Sequence, residues 1–335
     1  MTLDDVGKCV APGAGDTDWN ALYFILGLVL MPIALPFVVM ECCYRLRIKK
    51  YRNELAGKVV LITGASSGLG ESMAHTFYKA GCKVILAARR TQELERVKTD
   101  LMALDASSVT YPPVIMSLDL SDLKEIPAFG HRALGVYNQI DILVNNGGIS
   151  VRATAESSDL DVDLKVMVVN YFGSVALTKA ILPSMIQRKT GHICFISSVQ
   201  GKFSLPYRSA YSASKHALQA FADSLRSEVA NKGVQVTCIS PGYIRTKLSM
   251  NALTGDGKTY GKMDKTTALG MAPKKVSERI LNAILGKEKD VMISDLQAKF
   301  AYYLRYLCPS FYFWIMENRV RRLEKEEAIE QKKAK

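Results

Sequence analysis

A short apolar run, Lys58-Val59-Val60-Leu61-Ile62, opens directly into Thr63-Gly64-Ala65-Ser66-Ser67-Gly68-Leu69-Gly70, and that junction leaves the chain few folds to choose from. The run is β-branched and does not alternate, which predicts a strand buried on both faces. The periodic segment from Glu71 to Lys79 predicts a helix. Strand, glycine turn and helix in that order form a phosphate cradle. Gly64, Gly68 and Gly70 let the backbone turn tightly and approach a ligand without Cβ atoms in the way, while the helix N-terminus offers unpaired N–H groups to negative charge. Gly64, Ser66, Ser67, Gly68, Leu69 and Gly70 are therefore candidates for holding a dinucleotide pyrophosphate. Their spacing differs from G-x-G-x-x-G, and the plain alternative is a helix entry with no ligand.

A second signature lies far downstream, at Tyr211-Ser212-Ala213-Ser214-Lys215. On the helix expected from Ser209 to Asn231, residues four apart share a face, so the Tyr211 and Lys215 side chains are neighbours. A free tyrosine titrates near pH ~10, too high for ready proton exchange at neutrality. An ammonium one turn away favours the phenolate and is expected to lower that value, which makes Tyr211 a candidate general acid and base. The plain alternative is a packed tyrosine beside a solvated lysine.

Together these segments resemble the short-chain dehydrogenase/reductase family, in the subdivision that carries a T-G-x-x-x-G-x-G loop and a Y-x-x-x-K pair. The resemblance runs from about Leu55 to Asp295 and keeps the family's order of motifs. These include Asn145-Asn146-Gly147-Gly148 after a strand, Asn170 in Val169-Asn170-Tyr171-Phe172-Gly173, Ser198 at a strand end, and Pro241-Gly242 with Thr246. One position departs from the pattern: the family usually has Ala at Gly147, which bears on the rigidity of the strand end rather than on the chemistry.

The resemblance implies a Rossmann-type α/β fold, a doubly wound parallel sheet of about seven strands, and reduction of a carbonyl or oxidation of an alcohol with NAD(P)(H). It implies that Tyr211 protonates the carbonyl oxygen, that Ser198 hydrogen-bonds the same oxygen, and that Lys215 also holds the nicotinamide ribose. By the same resemblance Asn170 supports a proton relay through water. Asn146, Pro241, Gly242 and Thr246 fall at cofactor-binding positions, and Asp119 falls beside the adenine ring. Capping of the next helix is a rival role for Asp119, since Ser121 and Asp122 follow it.

Cofactor choice is argued at the end of the second expected strand, Lys83-Val84-Ile85-Leu86-Ala87-Ala88-Arg89-Arg90. An acidic side chain here would bind the adenosine ribose hydroxyls and repel a 2′-phosphate. Ala88 stands where the family's NAD-preferring members usually carry Asp, and the Arg89 guanidinium suits phosphate. NADP(H) is expected, with Ser66 as a second phosphate contact and NAD(H) as the alternative. Arg89 and Arg90 as a solvated helix entry is the plain reading.

Five segments are expected: a tail over 1–18, a transmembrane anchor over 19–40, a basic juxtamembrane linker over 41–54, the catalytic domain over 55–295, and an aromatic and basic extension over 296–335. Strands are expected near 58–63, 83–88, 113–118, 140–144, 191–197, 234–240 and 290–293. Trp19 to Met40 is uncharged and almost wholly apolar. As a helix it would be about 33 Å long, enough for a bilayer core, although Pro32 and Pro36 allow a kink or a re-entrant hairpin. Arg45, Arg47, Lys49, Lys50 and Arg52 follow at once, and such clusters stay cytoplasmic. The expected location is the endoplasmic reticulum membrane with the enzyme domain in the cytosol. The terminal Lys332-Lys333-Ala334-Lys335 looks like a dilysine retrieval signal. The lumenal orientation and a peroxisomal membrane are the alternatives.

The formal net charge of +12 is largely accounted for by that cluster and by the C-terminal half, which suits anionic lipid headgroups better than nucleic acid. The seven cysteines are odd in number and show no metal spacing, so thiols are expected, with no metal. Cys42 and Cys43 border the apolar run and are candidates for S-palmitoylation. Aromatics from Phe300 to Met316, backed by Arg319, Arg321 and Arg322, suit helices at a bilayer surface, packing over the sheet, or a homodimer contact. The segment from Lys247 to Gly270 reads as a mobile substrate loop.

These features favour a membrane-soluble carbonyl: a sterol, a retinoid, a fatty aldehyde or an acyl- or alkyl-dihydroxyacetone phosphate. The anchor and the Cys308-Pro309 aromatic tail look most like the family's membrane-anchored member 7 group. The alternatives are an NAD-dependent retinol or steroid dehydrogenase and a catalytically idle membrane scaffold, though the Tyr, Lys and Ser set is complete.

Overall fold

The computed structural model describes residues 31, 35–36, 38–43, 46, 48, 51–104 and 111–333, the last of these as far as 325 with side chains. The chain falls into two compact units, Met1–Lys50 and Tyr51–Lys335. Of the first, Met31, Leu35, Pro36, Val38, Val39 and Met40 are helical and exposed. The rest of the expected anchor lies outside the described residues, as do the N-terminal tail and Cys9.

The second unit holds a parallel sheet of seven strands in the order β3-β2-β1-β4-β5-β6-β7. The strands are β1 (Val59–Thr63), β2 (Lys83–Ala88), β3 (Val114–Ser117), β4 (Ile142–Asn145), β5 (Gly191–Ile196), β6 (Val234–Pro241) and β7 (Asp290–Ile293). Each lies within two residues of its expected bounds. All five residues of β1 are buried, as a non-alternating central strand requires. Helices cover both faces. On one, Phe129 of α3 (Ile126–Tyr137), Leu177 and Ile181 of α5 (Gly173–Gln187), and Leu218 of α6 (Ser209–Glu228) join strand residues such as Leu61, Leu143 and Ile193 in one core. On the other, α1 (Gly68–Lys79) packs against α8 (Pro273–Leu285), and α2 (Thr91–Met102) lies beside β2.

Helix α4 (Leu160–Met167) runs through a π-helical turn, Val168–Phe172, into α5. Among the described residues, Leu160–Gln187 is the one stretch long and apolar enough to cross a membrane, but half of its most apolar window is buried. It is the core helix of a packed sheet. A short α7 (Lys265–Ala268) precedes α8, and α9 (Leu296–Leu307) and α10 (Pro309–Lys333) follow β7. Strand order reverses between β1 and β4, so the crevice beyond their carboxyl ends is where this fold receives a ligand.

Candidate active site

The glycine turn occupies that crevice. Gly64 and Gly68 have φ of +67° and +62°, a region open to glycine at no steric cost. A Cβ on Gly70 would lie 2.1 Å from the Gly64 carbonyl oxygen, so the turn closes only because this residue has no side chain. Helix α1 begins at Gly68, three residues before its periodic pattern, and its N-terminus therefore starts inside the turn. The end of β4 locks the turn in place. Thr63 Oγ1 accepts from the Asn146 and Gly147 amides at 2.9 Å each, and Asn146 Nδ2 donates to the Thr63 carbonyl at 2.9 Å. A Cβ on Gly147 would come within 2.5 Å of Leu120 Cδ1, so the glycine departure is matched by the space that leucine fills.

At the end of the cleft beside β2, both arginines that follow the strand line the wall. Arg90, at the N-cap of α2, is the one tied to the glycine turn: its Nη2 donates to Ser66 Oγ at 3.0 Å and Ser67 Oγ at 2.8 Å. Arg89 acts on the opposite wall. Burial works to raise the Asp119 pKa, but hydrogen bonds from Ser121 and the charges of Arg89 and Lys165 hold the carboxyl below its ordinary range. Asp119 Oδ1 accepts from the Ser121 amide at 2.9 Å and its hydroxyl at 2.7 Å, so it fixes its own turn while lining the cleft.

At the other end lie Ser198, Tyr211 and Lys215. Ser198 leaves β5 as the cap of a short 3₁₀ turn, with Oγ accepting from the Gln200 amide at 3.1 Å. Tyr211 is buried, and burial raises its hydroxyl above the ordinary tyrosine range. The opposing influences, in order, are a Ser198 hydrogen bond and the charges of Arg152 and Arg208. The expected lowering by the Lys215 ammonium, with a positively charged nicotinamide to help it, is thus outweighed by burial in the protein alone, and the influences that oppose burial come from Ser198 and the two arginines. The lysine is itself buried, which brings its ammonium down to about 8, and its Nζ donates to the Ile196 carbonyl at 2.9 Å. It stands 5.8 Å from the Tyr211 ring centre.

Asn170 lies beneath this group, fully buried in the π-helical turn. Its Oδ1 accepts from the Ile149 amide at 2.8 Å, and Nδ2 donates to the Ile149 carbonyl and to Ser214 Oγ at 2.9 Å each. A Cβ on Gly148 would lie 3.0 Å from Asn170 Oδ1 and 3.6 Å from Lys215 Nζ, so the bare glycine leaves open the space beside both polar atoms.

Four residues that no local pattern announces form a cluster at the wall, which Arg152 and Tyr243 line and Arg208 and Asp264 back. Asp264 Oδ2 receives Arg152 Nη2 at 2.8 Å and Arg208 Nη2 at 3.1 Å, and Arg208 Nη1 donates to the Tyr243 hydroxyl at 3.2 Å. Burial works to raise Tyr243, but the charge and hydrogen bond of Arg208, together with Arg319 and Thr266, hold it below the usual tyrosine range. The segment expected to be mobile is tied down: Leu253 pairs with Ser150 and Arg152 through backbone bonds of 2.8 Å each, and Asp264 clamps the segment's far end. The two arginines precede Asp264 by 112 and 56 residues, which is why no motif reveals the cluster.

Gly64, Ser66, Ser67, Gly68, Leu69, Gly70, Arg89, Asp119, Asn146, Ser198, Tyr211, Lys215, Pro241, Gly242 and Thr246 all line one cleft of ≈ 530 Å³, and Asn170 supports it from below. The cradle fits a dinucleotide: glycines where side chains would collide, a helix N-terminus for phosphate, and a buried hydroxyl pair at the far end.

Fold and cleft together define an oxidoreductase of the dinucleotide-binding α/β class. The chain belongs to the short-chain dehydrogenase/reductase family, whose short chain dehydrogenase model matches residues 58–256. It is similar to the dehydrogenase/reductase SDR family protein 7-like of Drosophila melanogaster, 66% identical over 327 residues that cover 98% of this chain and 99% of that one. It is also similar to mouse dehydrogenase/reductase SDR family member 7B, 46% identical over 289 residues, 86% of this chain and 88% of that one. Among solved structures, an alcohol dehydrogenase from the archaeon Thermococcus sibiricus complexed with 5-hydroxy-NADP matches with a TM-score of 0.59 and 25% identity. That match covers 70% of this chain and 95% of the other. The protein is accordingly an oxidoreductase that works with a nicotinamide cofactor.

Proposed function

We propose that the protein reduces the carbonyl of a hydrophobic, lipid-like substrate to an alcohol, with NADP(H) as its cofactor and Tyr211 as the proton donor. The observation that carries this reading is the Ser198–Tyr211 pair at one end of a cleft whose other end is the glycine turn. When bound, the cofactor supplies the hydride that the carbonyl carbon takes up. The α1 N-terminus and the Gly64–Gly70 turn hold its phosphates, Asp119 borders its adenine, and Asn146, Pro241, Gly242 and Thr246 line its path. Arg89 and Arg90, with Ser66 and Ser67, offer guanidinium and hydroxyl donors for a 2′-phosphate, and no acidic side chain ends β2 to repel it.

The carbonyl oxygen is held by the Ser198 hydroxyl and takes its proton from Tyr211 Oη. The phenolate left behind is stabilised by Ser198, Arg152 and Arg208. It regains a proton from Lys215, which is replenished through water beside Gly148 and Asn170. Lys215 titrates at about 8, so it gives up and regains a proton readily near neutrality. Asn170 is a positioning residue: its amide binds the Ile149 backbone to the helix that carries Lys215. Residues 19–40 anchor the chain in the endoplasmic reticulum membrane, which gives the cleft access to substrates dissolved in lipid.

The test is incubation of the purified full chain in vesicles of membrane lipid extract with deuterium-labelled NADPH, and separately NADH, followed by mass spectrometry of the extracted lipids. Label from NADPH in a lipid alcohol is expected, reduced by roughly a thousandfold in Tyr211→Phe. Equal labelling by the variant refutes the role of Tyr211, and labelling from NADH alone refutes the cofactor choice.

A further inference from the structure

Helix α9 is apolar on two faces, and only one of them is packed. Ala298, Ala301, Tyr302 and Leu304 turn inward and, with Tyr312 and Met316 of α10, close over Val199, Phe203 and Leu205. Packing over the cleft wall accounts for that side. On the other side Leu296, Phe300, Tyr303 and Leu307 recur at helical spacing of four, three and four, and are 81%, 62%, 60% and 76% exposed. The stripe continues onto α10 with Phe311 and Trp314, half-exposed and stacked ring on ring at 5.6 Å. An amphipathic surface helix carries mostly polar residues on its outer face, whereas here four large apolar or aromatic side chains hold the middle of that face, with Lys299 at its edge.

We infer that the outer faces of α9 and the first turns of α10 dock on an anionic lipid bilayer, a contact separate from the proposed N-terminal anchor. Two features of the surface select that occupant. Its aromatic groups include tyrosine and tryptophan, whose rings are apolar at one end and wet at the other, which suits headgroup depth. Lys299 stands on the exposed face next to Phe300, Arg305 lies over the Phe313 ring at 4.8 Å between the two helices, and Arg319, Arg321 and Arg322 follow along α10 ahead of the mixed-charge run from Glu324. A second copy related by a two-fold axis would bring this positive surface against itself, whereas anionic headgroups complement it.

The contact bears on the cleft. Tyr312 Oη donates to the Ser204 carbonyl at 2.6 Å and Tyr306 Oη to the Lys202 carbonyl at 3.3 Å, both in the segment that joins Ser198 to Tyr211. Tyr243, which lines the cleft, packs in the same cluster. A bilayer under α9 and α10 therefore lies behind the wall that holds the reacting groups and bears on the segment from Ser198 to Tyr211.

The chain has two tryptophans, so Trp19→Phe leaves Trp314 as a single reporter in the full-length protein. Its emission is to be read in vesicles of phosphatidylcholine, with and without phosphatidylserine, whose acyl chains are brominated near the headgroup. The expected result is emission roughly halved in the phosphatidylserine vesicles, with the quenching reduced by Leu307→Glu, a change at an exposed site that the core does not feel. Protein that floats with the vesicles while Trp314 stays unquenched overturns this surface and leaves the anchor intact. Protein that does not float overturns both. Crosslinking of Trp314-bearing helices between copies, with emission indifferent to bromine, assigns the face to a second molecule and overturns the proposal.

Discussion

A buried ammonium is costly unless its surroundings compensate it, and Lys215 is compensated only in part. It donates to one main-chain carbonyl, and burial brings its pKa from 10.5 down to about 8. The sign of the linkage follows. Below about 8 both folded and unfolded chains hold the proton, and the full penalty of a buried charge is present. Between about 8 and 10.5 the folded chain has released the proton while the unfolded chain keeps it, so stability rises with pH across that window. Lys215→Met, which keeps most of the buried stem, is expected to stabilise the fold by about 1–3 kcal/mol at neutral pH while abolishing turnover. The gain should shrink as pH approaches 10. Thermal unfolding of both proteins at neutral and alkaline pH checks this, and a variant less stable at both would show that Lys215 is a structural requirement. The opposite outcome, a variant stabilised at neutral pH, would mark Lys215 as a residue kept for its chemistry rather than for its contribution to folding.

Elements far apart in sequence are joined by the carboxylate of Asp264. It N-caps α7 by position and holds Arg152 from the segment after β4 and Arg208 from the start of α6, with side chains 12% and 11% exposed. Removing the anion leaves two guanidinium groups close together in a desolvated place, and the Arg208 Nε has no hydrogen-bond partner among the described residues. Asp264→Ala is expected to lower unfolding stability by about 3 kcal/mol and to make residues 247–270 the first site of proteolysis. Adding Arg208→Gln should return part of the loss, because it removes one of the two stranded charges. Strictly additive losses in denaturant titrations would contradict this coupling.

The same cluster marks where sequence reading stops. The glycine turn and the Tyr211–Lys215 pair are legible because each is a local device with its spacing fixed by one turn or one helix. The central strands are legible because burial on both faces writes continuous apolar runs, while the edge strands Val114–Ser117 and Asp290–Ile293 are shorter and only partly buried. Arg90 stands at the entry of α2, and only the fold shows that it, rather than the adjacent Arg89, meets Ser66 and Ser67. Residues 247–270, rich in small and polar types, carry no sign of the strand-like pairing of Leu253 with Val151 that fixes them.

The charge of the whole molecule argues for its orientation. Before the apolar run of residues 19–40 stand Asp4, Asp5, Asp16 and Asp18 against Lys8, and after it stand Arg45, Arg47, Lys49, Lys50 and Arg52. Basic residues flanking a membrane segment resist translocation far more than acidic ones do, so the side carrying the catalytic unit is expected to remain in the cytosol. An Asn-Gly-Thr acceptor appended after Lys335 should therefore stay unmodified when the chain is made with microsomes, and the C-terminus should be open to added protease. A sugar-shifted band would place the cleft in the lumen. Reversing the five basic residues to glutamate should bring that band about, since it removes the charge asymmetry that sets the topology while leaving the apolar length unchanged.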